Sequence, residues 1–164
     1  MSIAAPFLPQ TSIFDWIALD QLRNASLRIG AAYWQSLRGD RLFPARDDLK
    51  ARDMAGMLPY MSLVKVIDGG ADFEHRIVGD VIVRAFSVPI QNRRFSEIAR
   101  DAPELIEVSL QLFRKPVETR APVAWRQKTG QEASHTVFTE SEIVLLPLGQ
   151  NQDAVDHIVG FGVH

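Results

Sequence analysis

The chain contains no cysteine among its 164 residues. This absence excludes disulfide bonds, thiolate nucleophiles and metal sites built on thiolates. It leaves the redox compartment open. With 46% apolar residues, a chain of this length can bury a substantial core, which favours a single globular domain.

Concentrated basic charge is also missing. The 18 Lys and Arg residues stand against 20 Asp and Glu residues, and the basic residues occur as scattered pairs such as Arg93-Arg94 and Arg114-Lys115. Surfaces that bind nucleic acid or anionic membranes normally carry a concentrated basic field. We therefore expect neither a nucleic-acid partner nor a membrane partner.

Long hydrophobic runs are absent as well, since a membrane span needs about 20 apolar residues in succession. The segment from Met1 to Phe14 lacks a basic region and is interrupted by Pro6 and Pro9, which argues against a signal peptide. These absences predict a cytoplasmic protein.

The first predicted element is a long helix that begins near Asp15 or Asp20 and ends at Arg38. Either aspartate can accept hydrogen bonds from the free N–H groups at the start of a helix. The helix and the tail before it, residues 1–40, are predicted to precede a domain formed by residues 41–164.

Two apolar stripes run along this helix at helical spacing. They consist of Leu22, Ser26, Ile29, Tyr33 and Leu37, and of Leu27, Ala31 and Trp34. Either both stripes pack on the domain as one broad face, or one stripe packs on the domain and the other on a second copy. The second alternative predicts a homodimer with Ile17, Leu27 and Trp34 in its interface.

Short runs rich in β-branched residues predict a hairpin, and later alternation of apolar and polar residues predicts further strands with one wet face. The predicted strands cover residues 61–67, 72–78, 117–126, 135–148 and 157–163. Between the second and third strands, helices are predicted over residues 80–86 and 95–100. A longer helix is predicted from a capping box at Asp101 until Pro116 stops it.

Several motifs in this order resemble those of the PAS domain superfamily, and more narrowly of the bacterial PAS family numbered five. The residues that carry the resemblance are Tyr33-Trp34, Leu37-Arg38, Pro44, Arg46, Asp48, Leu58-Pro59 and Arg76-Ile77-Val78-Gly79. The resemblance implies an α+β fold: a five-stranded antiparallel sheet with helices on one face, here preceded by the N-terminal helix. The family usually has threonine where this chain has Asp80, and either residue favours the start of a helix.

The alternation of side chains along the second strand puts Arg76 on the face of Glu74 and Val78, which predicts that the extended arm after the helix docks on the sheet through Arg76. We assign the docking to Trp34, Arg38, Arg46, Asp48 and Arg76. In this interpretation Arg76, on the second strand, pairs with the acidic residues of the arm and anchors the arm to the sheet.

Some PAS domains bind flavin, haem or another chromophore, so the resemblance leaves a ligand pocket to be expected here. The residues that we assign to it are His75, Ile77, Phe86, Phe95, Val108, Leu112, Val123 and Trp125. Without cysteine, flavin photoadducts and thioester-linked chromophores are excluded, whereas noncovalent flavin stays open. His75 and His135 are the remaining candidates for haem ligands. The cofactor stays unknown, and we expect the purified protein to be colourless.

Two functions remain open at this stage. The first is a single-domain sensory or regulatory protein that binds a small molecule, forms a homodimer and signals through a protein partner. The alternative is an isomerase-like enzyme that uses His75 or His135 with a carboxylate such as Glu140. We expect the sensor and assign no catalytic and no metal-binding residue. A buried His–carboxylate pair in a cavity would favour the enzyme.

Overall fold

The computed structural model describes residues 13–129 and 139–164. Its strands and helices follow one another along the chain with five short 3₁₀ helices between them. The elements are β1 Ile13–Ile17, α1 Ala25–Arg38, β2 Met61–Ile67, β3 Asp72–Val78, α2 Asp80–Ala85, α3 Phe95–Ile98, α4 Pro103–Thr119, β4 Val123–Thr129, β5 Thr139–Leu148 and β6 His157–Val163. Among the described residues, no helix combines the length and apolar character that crossing a membrane requires.

The strands form one antiparallel sheet in the order β1-β4-β5-β6-β2-β3. Within the described ranges the sheet has six strands, and a strand, not a helix, is the first described element. The prediction of five strands preceded by an N-terminal helix is therefore wrong. The reason is β1, whose Trp16 lies opposite Trp125 of β4, with ring centroids 5.8 Å apart.

The helix that the sequence predicted from Asp15 or Asp20 begins later, at Ala25. Its N-cap is Asn24, whose side chain accepts hydrogen bonds from the N–H groups of Ser26 and Leu27. Asp15 lies within β1 instead.

Both faces of the sheet are covered. Adjacent residues of a strand point to opposite faces. In β6, Phe161 packs against Gly30 of α1, where an added Cβ would lie 2.7 Å from the ring, whereas Gly162 faces Ile82 of α2. The prediction of helices on one face only is wrong, because α1 covers the face that the sequence predicted to be wet.

The inward stripe of α1 is the one that holds Leu27 and Trp34, which are 0% and 2% exposed. The indole N–H of Trp34 donates to the carbonyl oxygen of Pro147 at 2.8 Å. Ile29, on the other stripe, is 58% exposed, and Ile17 is half-buried in β1. The predicted interface is therefore wrong for Leu27 and Trp34, because their side chains are buried within their own chain, and it stays a prediction for the half-buried Ile17. The homodimer itself stays a prediction.

A buried carboxylate joins α1 to the sheet. Glu142 of β5 accepts hydrogen bonds from the N–H groups of Arg23 and Asn24 at 2.8 to 3.0 Å and pairs with Arg126 of β4 at 2.9 Å. Burial raises the pKa of Glu142, but the hydrogen bonds from these three donors and the charge of Arg126 lower it by more. The pKa of Glu142 therefore lies below its ordinary value. The charge is thus compensated where α1 begins.

The hairpin β2–β3 has the predicted bounds, with one irregularity. Leu63 lies opposite Ile77 and Val64 opposite His75, so Arg76 has no partner in the register. This extra residue is a β-bulge, which interrupts the alternation of side chains between faces. As a result His75 is buried, whereas Arg76 and Ile77 are both exposed.

The helix α4 continues past Pro116 to Thr119, and β4 begins only at Val123. A proline removes one hydrogen bond from a helix. Later residues still bond, however, since the N–H of Arg120 donates to the carbonyl oxygen of Pro116. The predicted stop at Pro116 is wrong for this reason, and of the predicted strand over 117–126 only the part from Val123 is a strand. Asp101 also forms no cap: the N-cap of α4 is Ala102, and the carboxylate of Asp101 pairs with Arg93 at 3.0 Å.

The arm after α1 docks on the connection between β5 and β6. Phe43 is fully buried, and the N–H of Gly149 donates to the carbonyl oxygen of Pro44 at 3.0 Å. The amide oxygen of Gln152 accepts from the N–H of Leu42 at 2.5 Å, and its amide N–H donates to the carbonyl oxygen of Phe43 at 3.2 Å. Packing and backbone contacts thus hold the arm.

The ion pair predicted between the arm and Arg76 is wrong. Arg76 lies in β3, one of the two outermost strands, and its guanidinium pairs with Glu74 of the same strand at 2.8 Å. Asp48 accepts from the N–H of Ala45 and pairs with Arg41 at 2.9 Å. These two predicted docking residues therefore make local contacts.

Two further docking residues also contact their immediate neighbours. Arg46 is exposed, and its ion pair in the described part of the chain is with Asp47. The guanidinium of Arg38 lies over the ring of Trp34 at 5.7 Å and donates to the carbonyl oxygen of Arg41. Of the predicted set, Trp34 reaches the sheet.

One glycine explains the spacing between Leu58-Pro59 and the end of β3. The N–H of Gly79 donates to the carbonyl oxygen of Met61 at 2.8 Å. A Cβ on Gly79 would collide with the carbonyl oxygens of Leu58 and Pro59. The close approach of two backbones therefore requires glycine here.

Candidate functional site

A cavity of about 400 Å³ lies between the sheet and the helices α2, α3 and α4. This volume falls in the range of small-molecule sites. The residues that line it are Ser62, His75, Ile82, Ala85, Phe86, Ser87, Ile90, Phe95, Ile98, Ala102, Leu105, Ile106, Ser109, Leu112, Phe113, Trp125, Gln127, Ile143, Leu145, Gly160, Phe161, Gly162 and His164.

The cavity wall is mainly apolar and rich in aromatic rings. The rings of Phe95 and Phe113 lie 5.1 Å apart and are nearly perpendicular to each other. The hydroxyl of Ser109 is already engaged, because it donates to the carbonyl oxygen of Leu105 at 2.8 Å. Among the described lining residues there is no Asp, Glu, Lys or Arg. The wall can therefore enclose an apolar molecule and offers it a few neutral polar groups.

His75 is the polar side chain in the wall with the most unusual environment. His75 is 6% exposed, and the centroid of its ring lies 5.0 Å from that of Phe95. Its Nδ1 is fully buried and has no hydrogen-bond partner in the described part of the chain. Burial lowers the pKa of His75 from 6.5 to about 4, so the ring is neutral near pH 7.

The backbone of His75 also holds the loop that closes the cavity. We call residues 86–94 the closing loop. The N–H of His75 donates to the carbonyl oxygen of Arg93 at 3.0 Å, and the N–H of Asn92 donates to the carbonyl oxygen of His75 at 3.1 Å. Glu74 and Arg94 form an adjacent bridge. The closing loop is thus fastened to the edge of the sheet at the residue whose ring faces the cavity.

The structure brings five of the eight predicted pocket residues to one cavity. These are His75, Phe86, Phe95, Leu112 and Trp125. They reach it from β3, the closing loop, α3, α4 and β4, and they are far apart in the sequence.

Three predicted pocket residues do not line the cavity. The bulge at Arg76 turns Ile77 outward, where it is 42% exposed. Val123 of β4 is half-buried and packs against the core without lining the cavity, and Val108 is buried in the core outside the wall. These three assignments are corrected accordingly.

Sequence reasoning missed the contribution of β6. An added Cβ on Gly162 would lie 3.4 Å from Ile82 and 3.5 Å from Ile143, so the missing side chain leaves room inside the wall. Glycine within a strand often marks such a close approach. The alternation Gly160-Phe161-Gly162 was therefore a usable signal for this part of the site.

The pair proposed for an isomerase is not brought together. Glu140 and Glu142 project from the same face of β5, whereas the alternate residue Ile143 lines the cavity. Glu140 pairs with Arg126 at 3.4 Å on the face covered by α1, away from His75. The other candidate, His135, lies outside the described residues. No group of three metal-ligating side chains occurs among those described.

Comparison with protein families decides the identity of the fold. The model of the PAS family numbered five, described as a PAS domain, matches residues 22–163. The chain belongs to the PAS domain family. The PAS match begins before α1, so this helix lies within the matched region, and β1 precedes it. The comparisons with curated proteins and with solved structures find no match.

Proposed function

We propose that this PAS domain is a sensory module that binds a small molecule in its cavity and signals by contact with another protein. PAS domains generally serve sensing and signalling. The observation that carries the proposal for this chain is the cavity of about 400 Å³ between the sheet and the helices, with its apolar wall and neutral histidine. A concave apolar site with a few polar groups is the usual form of a ligand site.

The closing loop supports the proposal that the domain signals by contact with another protein. Phe86, Ser87 and Ile90 of this loop line the cavity, and the loop is bonded to β3, an outer strand of the sheet. A ligand that contacts these side chains stabilises one position of the loop relative to the others. A protein partner that binds the loop or the neighbouring strand edge then responds to the ligand.

Native mass spectrometry of the protein purified from its own cells tests the binding of a small molecule. Ser109→Phe places a large ring in the cavity, and Gln111→Phe places the same ring on the exposed side of α4 as a control. We expect a bound small molecule on the wild type and on Gln111→Phe but not on Ser109→Phe. A small molecule that stays on Ser109→Phe to the same extent contradicts binding in the cavity.

A further inference from the structure

We propose that the cavity selects uncharged, mainly apolar ligands with one oxygen acceptor, and that His75 recognises this oxygen by donating a hydrogen bond from Nε2. This inference rests on the proposed function and adds the chemical class of the ligand and the residue that recognises it.

The wall argues for an uncharged ligand. The lining residues that the structure describes include no Asp, Glu, Lys or Arg, and burial lowers the pKa of both lining histidines, His75 and His164. An ionised group that enters such a site loses its hydration and gains no opposite charge, which costs far more than the transfer of an apolar group. Carboxylates and phosphates are therefore disfavoured inside the cavity.

The volume and the rings of the wall limit the size of the ligand. A cavity of about 400 Å³ lies near the lower end of the range for small-molecule sites. Phe95 touches both His75 and Phe113, with ring centroids 5.0 and 5.1 Å apart. A ligand beside the imidazole therefore contacts aromatic faces, which suits a compact ring system.

The position of the His75 ring decides which nitrogen meets the ligand. Nδ1 is fully buried, yet the residue forms part of the cavity wall. The opposite edge of the ring carries Nε2. We therefore place Nε2 at the surface of the cavity and Nδ1 against the protein.

The protonation of the ring follows from this position. A neutral imidazole has one N–H and one bare nitrogen. A buried N–H without a partner is rarer in proteins than a buried acceptor without one. Nδ1 of His75 has no partner among the described residues, so it is the bare nitrogen and Nε2 carries the proton. A ligand beside Nε2 must then offer an acceptor, such as a carbonyl oxygen.

Three probes of similar size separate these requirements. Acetophenone carries a carbonyl group, ethylbenzene is its apolar counterpart, and benzoate is charged. Calorimetric titrations at pH 7.5 would compare the wild type with His75→Phe, which keeps a ring but removes the N–H. His157→Phe is the matched control, because His157 is a half-buried histidine of β6 that does not line the cavity.

We expect acetophenone to bind His75→Phe about tenfold more weakly than the wild type, because its carbonyl group is buried without a donor. Ethylbenzene should bind both proteins within about twofold, and benzoate should bind each at least about tenfold more weakly than acetophenone. His157→Phe should match the wild type for all three probes. His75→Leu is the second variant if His75→Phe does not fold.

Long-range ¹⁵N NMR of the wild type tests the protonation state separately. We expect the His75 ring to be neutral at pH 7 with its proton on Nε2. A proton on Nδ1, an equal loss of affinity for acetophenone and ethylbenzene in His75→Phe, or tight binding of benzoate would each overturn this inference and leave the proposed function standing. If neither neutral probe binds the wild type, this inference and the proposed function are both wrong.

Discussion

The backbone N–H of His75 donates a hydrogen bond to the carbonyl oxygen of Arg93 over 3.0 Å. The ring of the same residue lines the cavity. One residue of β3 therefore contacts the ligand site with its side chain and holds the closing loop with its backbone. A change at the ring, whether through a ligand or a proton, acts on the residue that fastens the loop.

The first prediction concerns pH. The pKa of His75 falls from 6.5 to about 4 on folding because the ring is buried. Between these values the unfolded chain binds more protons than the folded one, so the free energy of unfolding rises with pH. We expect a loss of roughly 3 kcal/mol as the pH falls from 6.5 to 4.

Urea denaturation at pH 7 and at pH 5 measures this effect, and His75→Phe supplies the comparison. The variant cannot bind the proton, so its free energy of unfolding should change clearly less than that of the wild type between the two pH values. Equal changes for both proteins would show that His75 titrates normally in the fold.

The second prediction concerns the buried carboxylate at the start of α1. Glu142→Gln removes the charge that accepts from Arg23 and Asn24 and pairs with Arg126. The free energy of unfolding should fall by roughly 2 to 3 kcal/mol, the range for hydrogen bonds to a charged group.

Glu140→Gln is the control for this change. Glu140 projects from the same face of β5, but its side chain is 39% exposed, so its ion pairs should contribute less than about 1 kcal/mol. Thermal denaturation at pH 7 compares the two variants. Similar losses for both would mean that Glu142 has no special role in holding α1.

The third prediction concerns the two stripes of α1. Leu27 is 0% exposed and Ile29 is 58% exposed. Leu27→Ala should lower the free energy of unfolding by about 2 to 5 kcal/mol, whereas Ile29→Ala should change it by less than about 0.5 kcal/mol. Denaturant titrations at two protein concentrations check both values. A larger effect at Ile29 that grows with concentration would indicate that this stripe forms an interface.

The fourth prediction concerns the arm. Gln152→Ala removes the side-chain contacts to the backbone of Leu42 and Phe43, and should cost about 1 to 2 kcal/mol. Arg46→Ala should cost less than about 0.5 kcal/mol, since Arg46 is exposed and its ion pair among the described residues is with the neighbouring Asp47. The denaturation midpoints of the two variants measure these losses of stability. A larger loss for Arg46→Ala than for Gln152→Ala would indicate that Arg46 does dock the arm.

The parts of the fold that local patterns specify were predicted correctly. The hairpin Met61–Ile67 and Asp72–Val78 and the last strand, His157–Val163, have β-branched residues and turn residues in one continuous stretch. The strand Ile13–Ile17 was not predicted, and the predicted helix overlapped it in the alternative that began near Asp15, because the partner of this strand is β4, more than 100 residues away in the chain. Pairing over such a distance leaves no local signal.

In the cavity, too, the sequence predicted the features that depend on local patterns and missed those that depend on distant contacts. His75 was assigned to the pocket from the alternation of side chains along its strand and Phe95 from its position beside the closing loop, and both line the cavity. Ile77 was assigned by the same alternation but is turned outward by the bulge at Arg76. No residue type in this strand predicts the bulge. The choice of the inward stripe on α1 depended on the sheet that the helix meets, and the two stripes are similar in composition.

The central claim, that the cavity binds a small molecule, is tested most directly by calorimetric titration of acetophenone into three proteins: the wild type, Ser109→Phe and Gln111→Phe. Ser109 lines the cavity, whereas Gln111 lies on the exposed side of the same helix. We predict saturable binding of one molecule to the wild type and to Gln111→Phe, and none to Ser109→Phe. Equal binding to all three proteins, or to none of them, would contradict the account.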